Sequence, residues 1–534
     1  MGPTRRELLT LLLGAPLAAT TCRRPAPASV AGRVRGAALE VGHRLRDETV
    51  PAPSGADEHV EVAIVGAGPS GLSAAWYLRH HGVRDLLVFD LEAAPGGTST
   101  HGTDGVVPYP WAAHYLPLPT RENAELVSLL AEMGIVDVAP DGSPRPRPKM
   151  LLREPAERVF YDGAWHEGLL PSGLASARDR VELERFQRRV DAWVAWRDAS
   201  GRRAFALPRR RSTSAGEVRE LDRISAAEWL DREGMRAPLV RWYLEYACRD
   251  DYGCTLATTS AWALHFYFAA RVAQPGAPSA PFLVWPEGNG RLVRHLAGPL
   301  GSQLRLGHLV SEVVPEHQHV RLAVFDVARG ITRWVRAKHV ILAVPRFVAG
   351  HLLRPWRHRA PSFLDAFTYG VWATANLHLW RRPRSSGFPF AWDNVIHGSP
   401  SLGYVVATHQ TLRDQGPTVW TYYLPMVDPD PLQARRRLEA QDHASFCDAI
   451  LGDLGRAHED LEECLERVDV WRWGHAMIRP TVGFLWGQAR EQAAAPVGHV
   501  HFAHSDLSGL ALFEEAFDQG LRAAQEVVAR RAIR

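Results

Sequence analysis

Lysine is nearly absent from this chain: Lys149 and Lys338 stand alone among 62 lysines and arginines. The basic runs Arg209-Arg210-Arg211 and Arg435-Arg436-Arg437 have no interleaved aromatics, so they read as solvated surface and no nucleic-acid partner is expected. A formal net charge of +3 adds nothing to that. Cysteine is sparse too. The five cysteines, Cys22, Cys248, Cys254, Cys447 and Cys464, show no CxxC and no Cys/His ligand spacing, which argues against a zinc centre, and no metal is expected. A Cys248–Cys254 bridge is chemically open to an exported protein, but buried thiols are the expectation for a chain that folds before it meets an oxidising compartment. Long apolar runs are missing as well. The most apolar stretch near the start, LLTLLLGAPLAA, falls short of the roughly 20 residues that span a bilayer.

That stretch follows Thr4-Arg5-Arg6-Glu7 and is followed by small residues, an arrangement that looks like a twin-arginine export signal. The expected location is therefore periplasmic, or outward-facing on a membrane. Cys22 is a candidate for lipidation and so for a membrane tether, although Thr20 and Thr21 before it fit a lipoprotein cleavage box poorly. Residues 1–24 are assigned to the signal region and 25–57, rich in Pro, Ala, Gly and Arg, to a linker. What remains is long for a single core and points to two intertwined domains.

The informative stretch is His59 to Gly97, HVEVAIVGAGPSGLSAAWYLRHHGVRDLLVFDLEAAPGG. Val60, Val62, Ile64 and Val65 form a β-branched run suited to a buried parallel strand. The chain turns at Gly66, Gly68 permits close approach to a pyrophosphate, and Gly71 permits tight packing of the next helix on the strand. That helix, which begins near Ser70, offers its unpaired N–H groups and positive dipole end to an anion. A second strand ends at Asp90, where a dinucleotide fold places the acid that accepts the ribose hydroxyls. Six residues after Asp90, the Gly96-Gly97 pair lets the chain pass a bound cofactor without side-chain obstruction.

Together these residues resemble the FAD fingerprint of the flavin amine oxidase superfamily, which also includes phytoene desaturases and protoporphyrinogen oxidases. The resemblance implies an α/β fold: a Rossmann-like FAD-binding domain built from separated segments, with a substrate domain of mixed sheet plus helices. On that pattern the FAD-binding parts are residues 58–122, 281–350 and 491–534, and the substrate parts are 123–280, mostly helical, and 351–490. Gly66, Gly68, Ser70, Gly71, Asp90, Gly96 and Gly97 would hold FAD. Thr98 stands where the family often has arginine. In PWAAHYLPLPT, Ala112 and Ala113 would touch the flavin ring with His114 and Tyr115 beside it, and Val310 would offer its backbone to the adenine. In HVHFAHSDLSGLALFEEAF the family's glycine–acid pair is displaced by one residue, leaving Ser505 and Asp506 as the ribityl contacts. No cysteine lies in the segments expected at the ring, so the FAD is expected to be noncovalent.

The catalytic candidates are weaker. His475, in the aromatic-rich VDVWRWGHAMIRP, is the first choice as proton acceptor, His114 the second, and Tyr252, in RDDYGCTLATTSAW, a further pocket residue. Many members hold a water near the flavin with a lysine from a strand that here reads ATANLHL; Ala375 and Asn376 occupy that neighbourhood, and neither Lys149 nor Lys338 is placed to substitute. The expected activity is hydride removal from a small-molecule amine, a polyamine included, with oxygen or another acceptor reoxidising the flavin. Two alternatives stay open: desaturation of an apolar polyene or porphyrinogen-like substrate, and flavin binding without turnover.

Overall fold

The computed structural model describes residues 30–171 and 173–532. Arg5, Arg6 and Cys22 lie outside the described residues, so the export and lipidation expectations have no structural counterpart.

The strand Glu58–Val65 is the axis of a sheet that runs Leu304–Arg305, Leu86–Phe89, Glu58–Val65, Ile331–Leu342, Val320–Asp326, His308–Pro315, with Val500–Phe502 pairing Ile331–Leu342. Strands from the two ends and the middle of the chain lie in parallel: Val62 pairs Leu86 on one side and His339 on the other, and Val340 pairs Val500. Parallel central strands must be covered on both faces. The fully buried Val62, Ala63, Ile64 and Ile341 meet that requirement. The helix Pro69–His80 packs against the C-terminal helix Phe513–Ala532 through small residues. A Cβ on Gly520 would fall 2.2 Å from the Ser70 carbonyl oxygen, so glycine sets how closely the two helices cross. The Ser70 hydroxyl donates to the Ala516 carbonyl at 2.7 Å, so its side chain also ties this crossing together.

A second sheet of eight strands carries the long pair Tyr369–Leu379 and Leu465–Ile478, with Thr418–Pro425 on the other side of the former. Its hairpin Glu157–Tyr161/Ala164–Glu167 turns at Asp162 (φ 48°) and Gly163 (φ 78°), the two positive φ values that a tight two-residue hairpin turn needs. A helical unit built on Ala177–Ala195, Pro238–Tyr252 and Ala261–Ala269 packs beside it. Ser176 and Asp179 close a complete capping box. Ser225 makes only half of one: its hydroxyl accepts the Glu228 N–H at 3.1 Å, while the Glu228 carboxylate pairs with Arg232 at 2.5 Å.

The expected linker is structured from residue 30 onward. Val34–Gly36 adds a parallel edge strand to Leu465–Ile478, and Leu39–Arg46 is a helix anchored by its buried Leu45. The Ala38 N–H donates to Glu92 Oε1 at 2.9 Å. A short β-pairing fixed by long-range partners leaves almost no periodic trace in sequence. Cys248, Cys254, Cys447 and Cys464 are free and buried, and no helix among the described residues is long and apolar enough to cross a membrane.

Candidate active site

The glycines of the first turn do separate jobs. Gly66 has φ 105°, and a Cβ there would lie 2.5 Å from the Ala343 carbonyl oxygen. A Cβ on Gly71 would lie 1.8 Å from the Gly66 carbonyl oxygen. Both positions are closed to side chains by the protein's own backbone. Gly68 differs: it caps the helix with an ordinary φ of −74°, and a Cβ on it would meet nothing within 4 Å. Its bareness answers no internal contact, as expected where a ligand comes close. Gly97 folds back on it, and a Cβ there would be 3.7 Å from the Gly68 Cα; Gly96 ties the two turns together by donating to Ala67 O at 2.9 Å. The Asp90 carboxylate accepts the N–H of Ala67 at 2.5 Å and of Glu92 at 2.8 Å. Burial pushes this carboxyl up, against the two N–H donors that hold it down.

The segment 110–114 is clamped carbonyl by carbonyl. Asn376 Nδ2 donates to Pro110 O at 3.2 Å, Thr374 Oγ1 to Trp111 O at 2.6 Å, the Tyr423 hydroxyl to Ala112 O at 2.8 Å, and the Asn289 N–H to Ala113 O at 3.0 Å. The strand that reads ATANLHL, where no lysine stands, thus uses Thr374 and Asn376 to hold this loop, while Ala375 faces the sheet's other core.

Between the loop, the second sheet and the start of the C-terminal helix lies a cavity of about 820 Å³, counting its open part. The dinucleotide fold contributes Thr98, Ala112, Ala113, Asn289 and Leu512 to Glu514; the second sheet contributes Trp372, Thr374, Tyr423, Trp473 and Met477; and the helical unit contributes Asp250, Asp251 and Arg271. Asp251 and Arg271 form a buried ion pair at 2.7 Å, their side chains 3% and 5% exposed, and the Tyr115 hydroxyl donates to Asp251 at 3.4 Å. Burial, then the neighbouring Asp251, pushes Asp250 up, with Arg271 opposing. Burial pushes Glu514 up to about 7. Glu514 Oε1 and Asn289 Oδ1 are buried with no hydrogen-bond partner.

Among the expected catalytic groups, only His114 reaches this cavity. Its Nδ1 faces the Ala112 carbonyl at 3.2 Å, its ring packs on Tyr423 at 4.7 Å, and burial lowers its pKa to about 4. His475 stacks on Phe347 at 4.2 Å and stays outside the lining, although its neighbours Trp473, Ala476 and Met477 belong to it. Tyr252 is fully buried in the helical core, its hydroxyl donating to Ala263 O at 2.9 Å. The two acids just before it face the cavity instead.

Asp506 is buried, accepting the Tyr369 hydroxyl at 2.6 Å and the Arg346 N–H at 2.9 Å, with His504 Nδ1 at 2.9 Å. Burial would raise this carboxyl, but the imidazole, the hydroxyl and the N–H hold it below its usual range. Ser505 opens the short turn Ser505–Leu507. Val310 is buried in His308–Pro315 beside a ladder irregularity between Val310 and Glu312.

The residues that sequence reasoning missed are Asp250, Asp251, Arg271, Glu514, Trp372 and Tyr423. A signal for the acids was there: they sit in the last turn of Pro238–Tyr252, where the helix dipole disfavours negative charge. Residues placed against local preference mark sites with another purpose.

Residues 69–528 match the model of a family described as flavin containing amine oxidoreductase. Protoporphyrinogen oxidase, chloroplastic, of Oryza sativa subsp. japonica is 25% identical over 342 residues, which cover 60% of this chain and 59% of that protein. Among solved structures, putrescine oxidase bound to putrescine superposes with a TM-score of 0.65 at 18% identity, covering 90% of this chain and 100% of that one. Cyclohexylamine oxidase from Brevibacterium oxydans IH-35A gives 0.61 at 16% identity, covering 89% and 99%. At such identities these two structures share the fold.

Proposed function

Given that this chain belongs to the flavin containing amine oxidoreductase family and is an FAD-dependent oxidoreductase, we propose that it oxidises a small-molecule amine in the cavity walled by Ala112, Tyr423 and Glu514, with oxygen or another acceptor completing the cycle. We propose further that it is exported by the twin-arginine route to the periplasm or an outward-facing membrane surface.

The residues present fit FAD. The open space at Gly68, the folding of Gly97 onto it and the unpartnered Asn289 Oδ1 are features the protein's own packing does not account for. Gly66 to Gly71 with the following helix N-terminus would hold the pyrophosphate, Asp90 the adenosine ribose, Asp506 the ribityl chain, and Thr98, Ala112 and Ala113 the ring, all without a covalent bond. Bound there, FAD would supply the acceptor for a hydride from the carbon bearing nitrogen.

The chain's own work is to position and deprotonate. Trp372, Tyr423 and Trp473 supply aromatic walls that pack an alkyl chain and favour a cation over their faces. An ammonium must lose a proton before hydride can leave. Glu514, with an unpartnered oxygen and a pKa of about 7, is matched to accept it near neutrality. His114 Nδ1 donates to the Ala112 carbonyl in the tautomer that satisfies both, so the neutral ring orients the loop.

The observation that carries the reading is the cavity's donor set: the carboxyls of Asp250, Asp251 and Glu514 with the one guanidinium of Arg271 already paired to Asp251, so that a bound cation would draw out the negative charge that burial holds back on Asp250 and Glu514. Such a lining favours a cation and repels the carboxylates of a porphyrinogen. Anaerobic titration of the purified yellow protein tests it. Amines should bleach the flavin, at a rate that rises with pH through about 7 for wild type and loses that limb in Glu514→Gln. Bleaching by a porphyrinogen or polyene with no response to amines would overturn it.

A further inference from the structure

Four aromatic rings run in unbroken contact from the cavity wall toward the surface. Trp473 lines the cavity. Its ring stacks on Trp471 at 5.0 Å, Trp471 meets Trp111 at 5.1 Å, and Trp111 meets Tyr109 edge-on at 5.5 Å. Each separation is a contact distance for an aromatic pair. Trp471 and Trp473 stand two apart on the strand Leu465–Ile478 and so share a face of it. Tyr109 and Trp111 flank Pro110, at the start of the segment that Asn376 and Thr374 clamp.

Packing explains rings in contact, but the polar atoms along the row differ in a way that packing does not require. Trp471 Nε1 is buried with no hydrogen-bond partner, and Trp473 Nε1 donates to the Trp111 carbonyl at 3.3 Å and to Thr374 Oγ1 at 3.2 Å. Neither indole N–H touches a base. Tyr109 does: its ring is fully buried and its hydroxyl donates to Asp104 Oδ1. The Asp104 side chain is 48% exposed and pairs with Arg467 at 3.1 Å and Arg35 at 3.6 Å. Burial would raise this carboxyl, but the Tyr109 hydroxyl and Arg467 hold it below its usual range, so at neutral pH it is an ionised proton acceptor. The Arg35 guanidinium also lies 5.4 Å from the centre of the Trp111 ring.

We propose that Trp473, Trp471, Trp111 and Tyr109 conduct oxidising equivalents out of the cavity, one electron at a time, to a phenol that sheds its proton to Asp104. Trp473 loses an electron to a one-electron oxidant formed at the cavity, either flavin excited by blue light or a radical derived from peroxide. Trp471 refills Trp473, and Trp111 refills Trp471. With no base at the first two indoles, each radical cation keeps its proton and stays mobile. Arg35 disfavours a positive ring at Trp111. Tyr109 relieves it by giving Trp111 an electron and Asp104 a proton, which leaves a neutral phenoxyl radical that the guanidinium does not oppose. The net change is one electron from Tyr109 to the oxidant and one proton from Tyr109 to Asp104. A small reductant in solution, a thiol or ascorbate, returns the electron at this outer end, and Asp104 returns the proton. Trp473 and the oxidisable sulfur of Met477 on the cavity wall are spared.

The test illuminates the FAD-loaded protein with blue light and follows radicals by electron paramagnetic resonance in wild type, Tyr109→Phe, Trp471→Phe and Asp104→Asn, each first shown to hold FAD and to melt normally. Phenylalanine keeps a ring in the row but does not give up an electron to these oxidants. Wild type should show a phenoxyl signal. It should be lost in Tyr109→Phe and in Asp104→Asn, where an indole radical accumulates in its place, and lost in Trp471→Phe, where the row is cut. Mass spectrometry after prolonged illumination in air gives a second measure: Trp471→Phe should carry more oxidation on Trp473 and Met477 than wild type, and ascorbate should protect wild type alone. Should Trp471→Phe not fold, the loss of the phenoxyl signal in both Tyr109→Phe and Asp104→Asn supports the row by itself. A phenoxyl signal that survives in Tyr109→Phe, or equal damage at Trp473 in wild type and Trp471→Phe, overturns it and leaves amine oxidation standing.

Discussion

His265 shows what the helical core does with a polar ring it does not use. Both ring nitrogens are buried without partners, and the side chain is boxed by Trp229 at 4.3 Å with Phe186, Trp193 and Phe205 around it. Burial drives its pKa down to about 3. The sign of the linkage follows: below the ordinary value near 6.5 the unfolded chain takes up a proton that the folded one refuses, so stability is present above that pH and is lost as pH falls toward 3. His265→Phe removes the titration along with two unpaired polar atoms, each costing about 1–3 kcal/mol, against an overpacking cost of similar size. The melting temperature of the variant should therefore depend less steeply on pH between 7 and 4 than that of wild type. Equal slopes would show that His265 finds a proton partner in the folded protein. His504 is the other instructive residue. The one-residue displacement of the family's glycine–acid pair is visible in sequence, and the structure absorbs it by giving His504 a φ of 144°, a region that L side chains rarely adopt.

At the scale of elements, the glycine turn was legible because each glycine answers a specific steric demand, and those demands separate stability from cofactor binding. Gly71→Ala forces a methyl to within 1.8 Å of the Gly66 carbonyl oxygen and should destabilise the FAD-free protein by at least about 1–3 kcal/mol. Gly68→Ala meets open space at an unstrained φ. It should leave the FAD-free melting temperature within about 0.5 kcal/mol of wild type while weakening FAD binding, read by fluorescence titration. An unchanged FAD affinity in Gly68→Ala would remove the pyrophosphate from this turn. The substrate elements were less legible for a physical reason. Periodicity reports which face of an element is buried, not whether the buried neighbour is core or cavity, so it does not distinguish Tyr252, which the helix Pro238–Tyr252 turns into the core, from Asp250 and Asp251, which it turns toward the cavity. The place of His475 was hidden in a similar way: its strand walls the cavity through Trp473 and Met477 while His475 itself stays off the lining, next to a register shift between Gly370 and Trp372 where Tyr369–Leu379 pairs with that strand, and no sequence pattern announces a bulge.

For the whole molecule, the cofactor and export readings meet in a single constraint. The groups proposed to hold FAD run from Gly66 in the first turn to Asp506 near the C-terminal helix, and Val500–Phe502 joins the sheet beside Ile331–Leu342. The proposed site is complete only when the last strand has joined the parallel sheet. A chain threaded unfolded across a membrane would have to find FAD on the far side, whereas one that folds first can be loaded before it leaves. The proposed twin-arginine route carries folded proteins and satisfies the second case. Replacing Arg5 and Arg6 with lysine should therefore leave yellow, FAD-loaded protein in the cytoplasm, with the periplasmic fraction reduced by roughly tenfold or more, an effect in the range of about 1.4 kcal/mol per decade if read as a partition. The double variant should melt like wild type, since neither position is among the described residues that form the sheets. Loaded enzyme arriving in the periplasm in wild-type amount from the double-lysine chain would end the export proposal and leave the cofactor site untouched.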